Sequence, residues 1–194
     1  FVAGRLSYVL GLHGACEAID VACSAALVAC HNAHRSVQHH ESRQALFAGV
    51  NMMLVPATFD SYAAASLTSP TGRAMVFDVR ADGFVRGEGC GACVVQAAAS
   101  EASALVAGSS VRQDGRSASL TAPNGTAQQL LLSAVLVDAC TTAAQLQLVE
   151  AAANGSALGD PIEAGAIAAA LLMPRARSLA LPVGGIKANV GHTE

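Results

Sequence analysis

The residues most able to do chemistry sit in two short stretches. In DVACSAALVAC, Asp20 to Cys30, an apolar stretch (Ala18 to Val21) ends at a sharp turn and Cys23 opens a helix. Backbone N–H groups and the positive end of a helix favour a thiolate and stabilise an oxyanion. The small residues that follow, Ser24, Ala25 and Ala26, let a substrate come close. In GGIKANVGHTE, Lys187 and His192 flank a glycine-containing loop after a strand, a place where a rigid scaffold presents functional groups. His192 can act as a base or as a hydrogen-bond donor to a thioester carbonyl, with Lys187 setting its protonation electrostatically. A buried structural cysteine and a solvated loop histidine are the plain alternatives, and their joint occurrence is what favours chemistry.

Other clusters are weaker. His31, His34, His39 and His40 crowd one stretch, but no cysteine pair completes a ligand set, and a polar helix end is the better reading. No metal is expected. Cys90 and Cys93 form a CxxC inside the strand-like run GEGCGACVV, without a second pair, and read as small buried hydrophobes. Six cysteines in a long apolar chain do not form a disulfide framework, which fits a reducing intracellular compartment such as cytoplasm or plastid.

With 53% hydrophobic residues the chain can bury a sizeable core. A net charge of −3 and 13% charged residues exclude the basic clusters of a nucleic-acid binder. The longest apolar run, Ala164 to Met173, is too short to span a membrane.

The elements that must position these groups alternate. Helices are expected over about 24–37, 57–67 and 126–138, and from Asp160 to near Pro174. Strands are expected over 44–50 (buried), 89–96, 104–108, 146–150 and 181–187. A long irregular segment covers 109–125. Such alternation predicts a layered α/β protein with parallel or mixed sheets. In EAAANGSALGDPIE, residues 150–163, Asp160 reads as an N-cap, Pro161 as the first helical residue and Glu163 as its capping-box partner. QAAASEASA, residues 96–104, is the one plausible seam. The chain is expected to start and stop within a domain, and therefore not to fold cooperatively alone.

Taken in order, AGRLSYVLGLHG, IDVACSAALVA, LFAGVNMML, FDVRADGFVRGEGCGA, VRQDGRSASLTAPNGTAQ, ALGDPIEAGA and IKANVGHTE resemble the blocks of the β-ketoacyl synthase (ketosynthase) domain of type I modular polyketide synthases and their fatty-acid synthase relatives. The resemblance implies the thiolase-like layered αβαβα fold. Residues of about 1–98 would fall in the N-terminal half and about 99–194 in the C-terminal half. It implies a homodimer working with an acyl carrier protein and other polyketide synthase domains. No bound cofactor is implied, the substrates being phosphopantetheine thioesters. Residue by residue, it makes Cys23 the acyl-accepting nucleophile and His192 a histidine that polarises the malonyl thioester. Lys187 becomes the active-site lysine, Glu163 its acidic partner, and Asp160 part of the supporting loop. Ser156 and Asn154 fall where threonines near the pantetheine arm belong, and Phe84 lines the pocket region.

One position departs from the pattern. The family block E-A-H-G-T-G-T-x-L-G-D aligns without gaps on Glu150 to Asp160, placing its histidine on Ala152 and its first glycine on Ala153. Alanine neither donates a hydrogen bond nor moves a proton. Decarboxylation of malonyl thioester is expected to suffer, whereas acyl transfer to Cys23 needs mainly the thiolate and the oxyanion hole. If 152–154 is extended, Asn154 faces the same side as Ala152, roughly 6–7 Å further on, and compensates weakly. Three readings stay open: a condensing ketosynthase, a non-elongating domain that transfers or gates acyl chains, and a non-catalytic dimer or carrier-docking scaffold. A Cys–His hydrolase using Cys23, His192 and Asn189 is disfavoured by the ordered blocks.

Overall fold

The computed structural model describes residues 2–97, 101–175 and 180–193; three seam residues, 98–100, lie outside them. The chain forms two compact units, one from Phe1–Asn51 with Gly89–Val106, the other from Met52–Glu88 with Ala107–Thr193.

In the first unit, helix α1 (Val2–Leu10) precedes helix α2 (Ala25–Gln38) and strand β1 (Gln44–Asn51). After the excursion into the second unit, which contains helix α3 (Pro56–Ala64), strand β2 (Gly89–Gln96) pairs antiparallel with β1. The pairing runs from Gln44 opposite Gln96 to Asn51 opposite Gly89. Helix α2 packs on one face of β1 where both surfaces are small: a Cβ on Gly49 would stand 2.8 Å from the Ala26 Cβ, so only glycine admits the helix there. That contact fixes the first turn of α2, and with it the turn bearing Cys23. The helix ends at a polar tip as expected, with His39 as C-cap and His40 left-handed at φ 60°.

Strand β1 alternates exposed and half-buried residues, against the expectation of a buried strand. α2 covers one face only, so the other face, carrying Leu46, Val50 and Val94, is exposed. The expected burial of the cysteine pair is corrected too. Cys90 and Cys93 are exposed, as are Cys16 and Cys140, and only Cys30 on α2 is half-buried. Its thiol pKa is raised by burial and by the neighbouring Cys93. Residues 18–20 form no strand; Val21 makes a single bridge to Cys23.

The second unit is organised by helix α4 (Gly125–Asp138) and helix α5 (Gly159–Ile167), the latter continuing as a π turn over Ala168–Leu172. Asn124 caps α4, its side-chain oxygen accepting from the N–H groups of Thr126 (3.1 Å) and Ala127 (3.2 Å). Its own N–H and amide bond to Asp114, which ties down the irregular segment before the helix. The core is Ala143, Ile167, Leu171 and Leu181, with Leu132, Leu136, Leu146 and Val149 against it. Buried Arg175 donates to the carbonyls of Ala143, Leu146 and Ala180, giving its charge the hydrogen bonds that burial demands.

Strand β3 (Val149–Glu150) pairs parallel with strand β4 (Val183–Gly184), followed by a single helical turn, α6 (Lys187–Val190). Both strands are shorter than expected, and Lys187 begins a helical turn instead of ending a strand. The apolar run 104–108 is no strand. Gly108 lies so close to Ala139, after α4, that a Cβ would meet its backbone nitrogen at 2.6 Å, and the next N–H, of Ser109, donates to Asp138 (2.8 Å). Gly108 alone therefore lies against the helix end, and the residues before it, Leu105 and Val106 included, are exposed. No helix among the described residues is long and apolar enough to cross a membrane.

Candidate active site

Cys23 belongs to the first unit, and His192, Lys187, Glu163, Asp160, Ser156, Asn154 and Phe84 to the second. Cys23 is an exposed free thiol directly before Ser24, the N-cap of α2. The residue ahead of it, Ala22, is held at φ 53°, a left-handed conformation costing a non-glycine residue about 1–2 kcal/mol. Three contacts hold the turn. Val21 bridges Cys23, the Ser24 hydroxyl donates to the Val21 carbonyl at 3.1 Å, and the Ala25 N–H donates to the Ala22 carbonyl at 2.9 Å. Strain over-determined in this way is characteristic of functional turns, and here it projects a thiol from the head of a helix.

In the second unit, acidic side chains clamp the 150–160 loop by its backbone. Glu163 accepts from the N–H groups of Ala152 (2.6 Å) and Ala153 (2.8 Å). Asp160, buried at 3% exposure, accepts from Gly155 (3.1 Å), Ser156 (3.0 Å) and Phe77 (2.9 Å), joining the loop to the FDVRADGF segment. Glu150 accepts from the Ile186 N–H at 2.6 Å. These bonds correct the expected helix start. α5 begins at Gly159, so Asp160 lies inside its first turn and Glu163 closes no capping box. The carboxylates are spent on the loop because its N–H groups would otherwise lack partners.

Lys187 reaches the same loop from the other side. Its ammonium donates to the Ala152 carbonyl (2.7 Å) and to Asn154 Oδ1 (2.6 Å), so the Ala152 peptide is held at its N–H by Glu163 and at its carbonyl by Lys187. The segment is not extended as expected. Ala153 is wholly buried at φ 39° and Gly155 stands at φ 75°, so the chain folds back and both oxygens reach one nitrogen. Ala153 occupies the place of the family's glycine, and its methyl fills the space that a Cβ on Gly185 would need, 2.9 Å away.

Ser156 Oγ accepts from the Gly159 N–H at 3.0 Å, at the start of α5. His192 is 2% exposed. Its N–H donates to the Val85 carbonyl (2.6 Å) and its carbonyl accepts from Gly87 (2.7 Å), a parallel bridge that fixes the backbone on both sides. The ring packs against Phe84, centroids 4.9 Å apart at 49°, and Phe84 meets Tyr62 edge-on at 6.0 Å. The Arg86 guanidinium covers Phe59 (4.6 Å) and Tyr62 (5.1 Å), a cation–π stack that braces this side.

Sequence reasoning missed Glu150 and the Asp114–Asn124 pair. For Glu150 the available signal was an acidic residue beside a loop of Gly, Ala, Ser and Asn without a basic neighbour in sequence, a pattern in which backbone N–H groups are the natural donors.

Comparison with known proteins agrees with these blocks. The family model for the β-ketoacyl synthase N-terminal domain matches residues 1–102, and that for the C-terminal domain matches residues 103–194. The chain is 43% identical to one phenolphthiocerol/phthiocerol polyketide synthase protein of Mycobacterium tuberculosis and 42% identical to a second, in each case over its whole length. It spans 11% and 9% of those proteins. Among solved structures it resembles the ketosynthase from module 6 of the bacillaene synthase of Bacillus subtilis 168, with 33% identity and a TM-score of 0.90. An oxazolomycin ketosynthase domain of Streptomyces albus JA3453 gives 31% and 0.93. In each of these two, 98% of this chain superposes on about a third of the other, 35% and 34%. The fold is accordingly the thiolase-like fold of the ketosynthases, and the chain belongs to the β-ketoacyl synthase family.

Proposed function

We propose that this chain carries the acyl-accepting centre of a polyketide-type ketosynthase, and the strained turn that presents Cys23 is the observation that carries the reading. The Cys23 thiolate attacks the carbonyl of an acyl-phosphopantetheine thioester. The new Sγ–acyl bond replaces the carrier's C–S bond, and the carrier thiolate leaves and takes up a proton. Condensation would follow when a malonyl thioester loses CO2 and its enolate carbon attacks the acyl-Cys carbonyl, expelling the Cys23 thiolate. In this scheme His192 donates a hydrogen bond to the malonyl thioester oxygen, and its fixed backbone and packed ring support that role. Lys187 and Glu163 hold the 152–154 loop, Asp160 holds 155–156, and the Ser156 hydroxyl keeps a proton to donate to the pantetheine arm. Phe84 seats the histidine ring. The partners are an acyl carrier protein, a second copy of the domain and neighbouring polyketide synthase domains in a reducing compartment, and no cofactor is bound.

A second reading, a domain that transfers chains without elongating them, is favoured by Ala152. Loss of one preorganised donor lowers a rate about 10²–10³-fold, which would leave loading faster than condensation. The test uses the protein that carries this chain. Cys23 is loaded from a short acyl thioester, malonyl-carrier protein is added, and intact mass is followed. A β-ketoacyl product identifies a condensing enzyme, acyl-Cys23 without product a transferring one, and no acylation of Cys23 refutes both.

A further inference from the structure

We propose that Asn154 supplies the hydrogen-bond donor that Ala152 lacks, its amide N–H meeting the oxygen of the malonyl thioester as the enolate forms. The inference deepens the proposed function and rests on that reading. An ammonium can only donate, so the amide atom facing Lys187 Nζ at 2.6 Å is the oxygen, and the nitrogen occupies the other branch. That nitrogen makes no hydrogen bond among the described residues. It is half-buried and held in one orientation, because Lys187 grips both the Asn154 oxygen and the Ala152 carbonyl. A cation on the amide oxygen also polarises the group and strengthens its N–H as a donor.

Position suits the role. The fold-back at Ala153 brings the Asn154 amide and the Ala152 peptide to the same nitrogen, so the donor lies beside the residue it replaces. Between Glu150 and Leu158 the other side-chain donor is Ser156, which lies against the Gly159 N–H at the start of α5 and whose proton the proposed function gives to the pantetheine arm. The chemistry suits an amide as well. In decarboxylation the C–C bond breaks, CO2 leaves, and its electron pair enters the thioester to give an enolate oxygen. That charge calls for a donor, and no proton changes hands in the step.

The test is CO2 release from malonyl-carrier protein without an acyl donor, which does not depend on Cys23, with acyl loading of Cys23 measured separately. Asn154→Asp keeps an oxygen for Lys187 and removes the N–H; Asn154→Ala removes both without adding charge. Both variants are expected to lower the turnover of CO2 release about 10²-fold relative to loading, with little change in KM. Parental rates in both variants would overturn the proposal, as would parental protein that releases no CO2. A fall in Asn154→Ala alone would assign the effect to Lys187 placement, and a fall in Asn154→Asp alone to repulsion of the malonyl carboxylate; either overturns it. Failure of Cys23 to load would instead count against the proposed function.

Discussion

Replacing Glu163 by Gln tests whether the loop is held by its acidic clamp. The two carboxylate oxygens of Glu163 accept from Ala152 and Ala153 at 2.6 and 2.8 Å. Glutamine keeps one acceptor oxygen and turns the other into an NH2 group pointed at an N–H. One charge-assisted bond is lost and the other becomes neutral. A hydrogen bond to a charged group contributes about 1.5–3 kcal/mol and a neutral one about 0.5–1.5. The Ala152 side is exposed, so the low end applies there, and local stability should fall by about 1.5–3 kcal/mol. At 1.4 kcal/mol per decade, amide exchange in a peptide spanning Val149 to Leu158 should accelerate about 10- to 100-fold by mass spectrometry, while peptides from α4 stay as they were. Asp160→Asn is the internal contrast: its bonds go to Phe77, Gly155 and Ser156, so it should also loosen a peptide containing Phe77. Unchanged exchange across Ala152 and Ala153 in Glu163→Gln would show that other contacts hold the loop, and the clamp would have to be abandoned.

In an Asn154→Ala background, Ala152→His should raise condensation relative to Cys23 loading about 10²-fold, read as β-ketoacyl product by intact mass; no gain would mean that the missing donor does not limit the reaction. Ala22→Gly relieves about 1–2 kcal/mol of left-handed strain and adds about 0.5–1 kcal/mol of chain entropy. The net is about 0–1.5 kcal/mol in favour of the variant, so an unchanged or slightly raised Tm is expected where a helical Ala→Gly would destabilise. Gly185→Ala forces a methyl to 2.9 Å from the Ala153 Cβ and 3.1 Å from Val76 Cγ2. It should cost about 1–3 kcal/mol by the urea midpoint, and Ala153→Gly should recover part of that loss. The 194-residue chain alone should melt without a cooperative transition, since the described residues of the first unit include only two buried ones, Ala33 and Val37. A sharp two-state melt would contradict this.

Much of this arrangement was legible in the sequence where local chemistry decides. The strand at Gly89–Gln96 was bounded by Gly and polar residues and is found with those ends. The helix over 25–38 has an apolar face, the helix over 125–138 has a cap at Asn124, and the ordered family blocks named the fold. Where longer-range packing decides, the sequence misled. The run 104–108 has a strand's composition, yet composition does not supply the neighbouring strand that a ladder needs, and its apolar residues are exposed. Asp160 and Glu163 have the spacing of a helix cap and spend their oxygens on loop N–H groups, because the fold-back at Ala153 brings those groups within reach. The exposure of Cys90 and Cys93 was equally hidden: Cys90, opposite Val50, is on the face α2 leaves open, and Cys93, opposite Phe47, is exposed on the other face.

The clamp also explains how position 152 can change without disturbing the fold. Every contact the structure gives Ala152 in the loop runs through its peptide: Glu163 holds the N–H, Lys187 the carbonyl. The side chain is exposed and braces nothing. Ala153 is the opposite case, a buried methyl in a strained conformation, packed where a glycine would leave room. A substitution at 152 is therefore free to alter one chemical step while leaving Lys187, Asn154 and the loop in place. The proposed loading at Cys23 draws on the turn before α2 and would not use that residue. In the proposed scheme the two half-reactions would thus draw on separate local structures, and loss of a donor in one would not entail loss of the other.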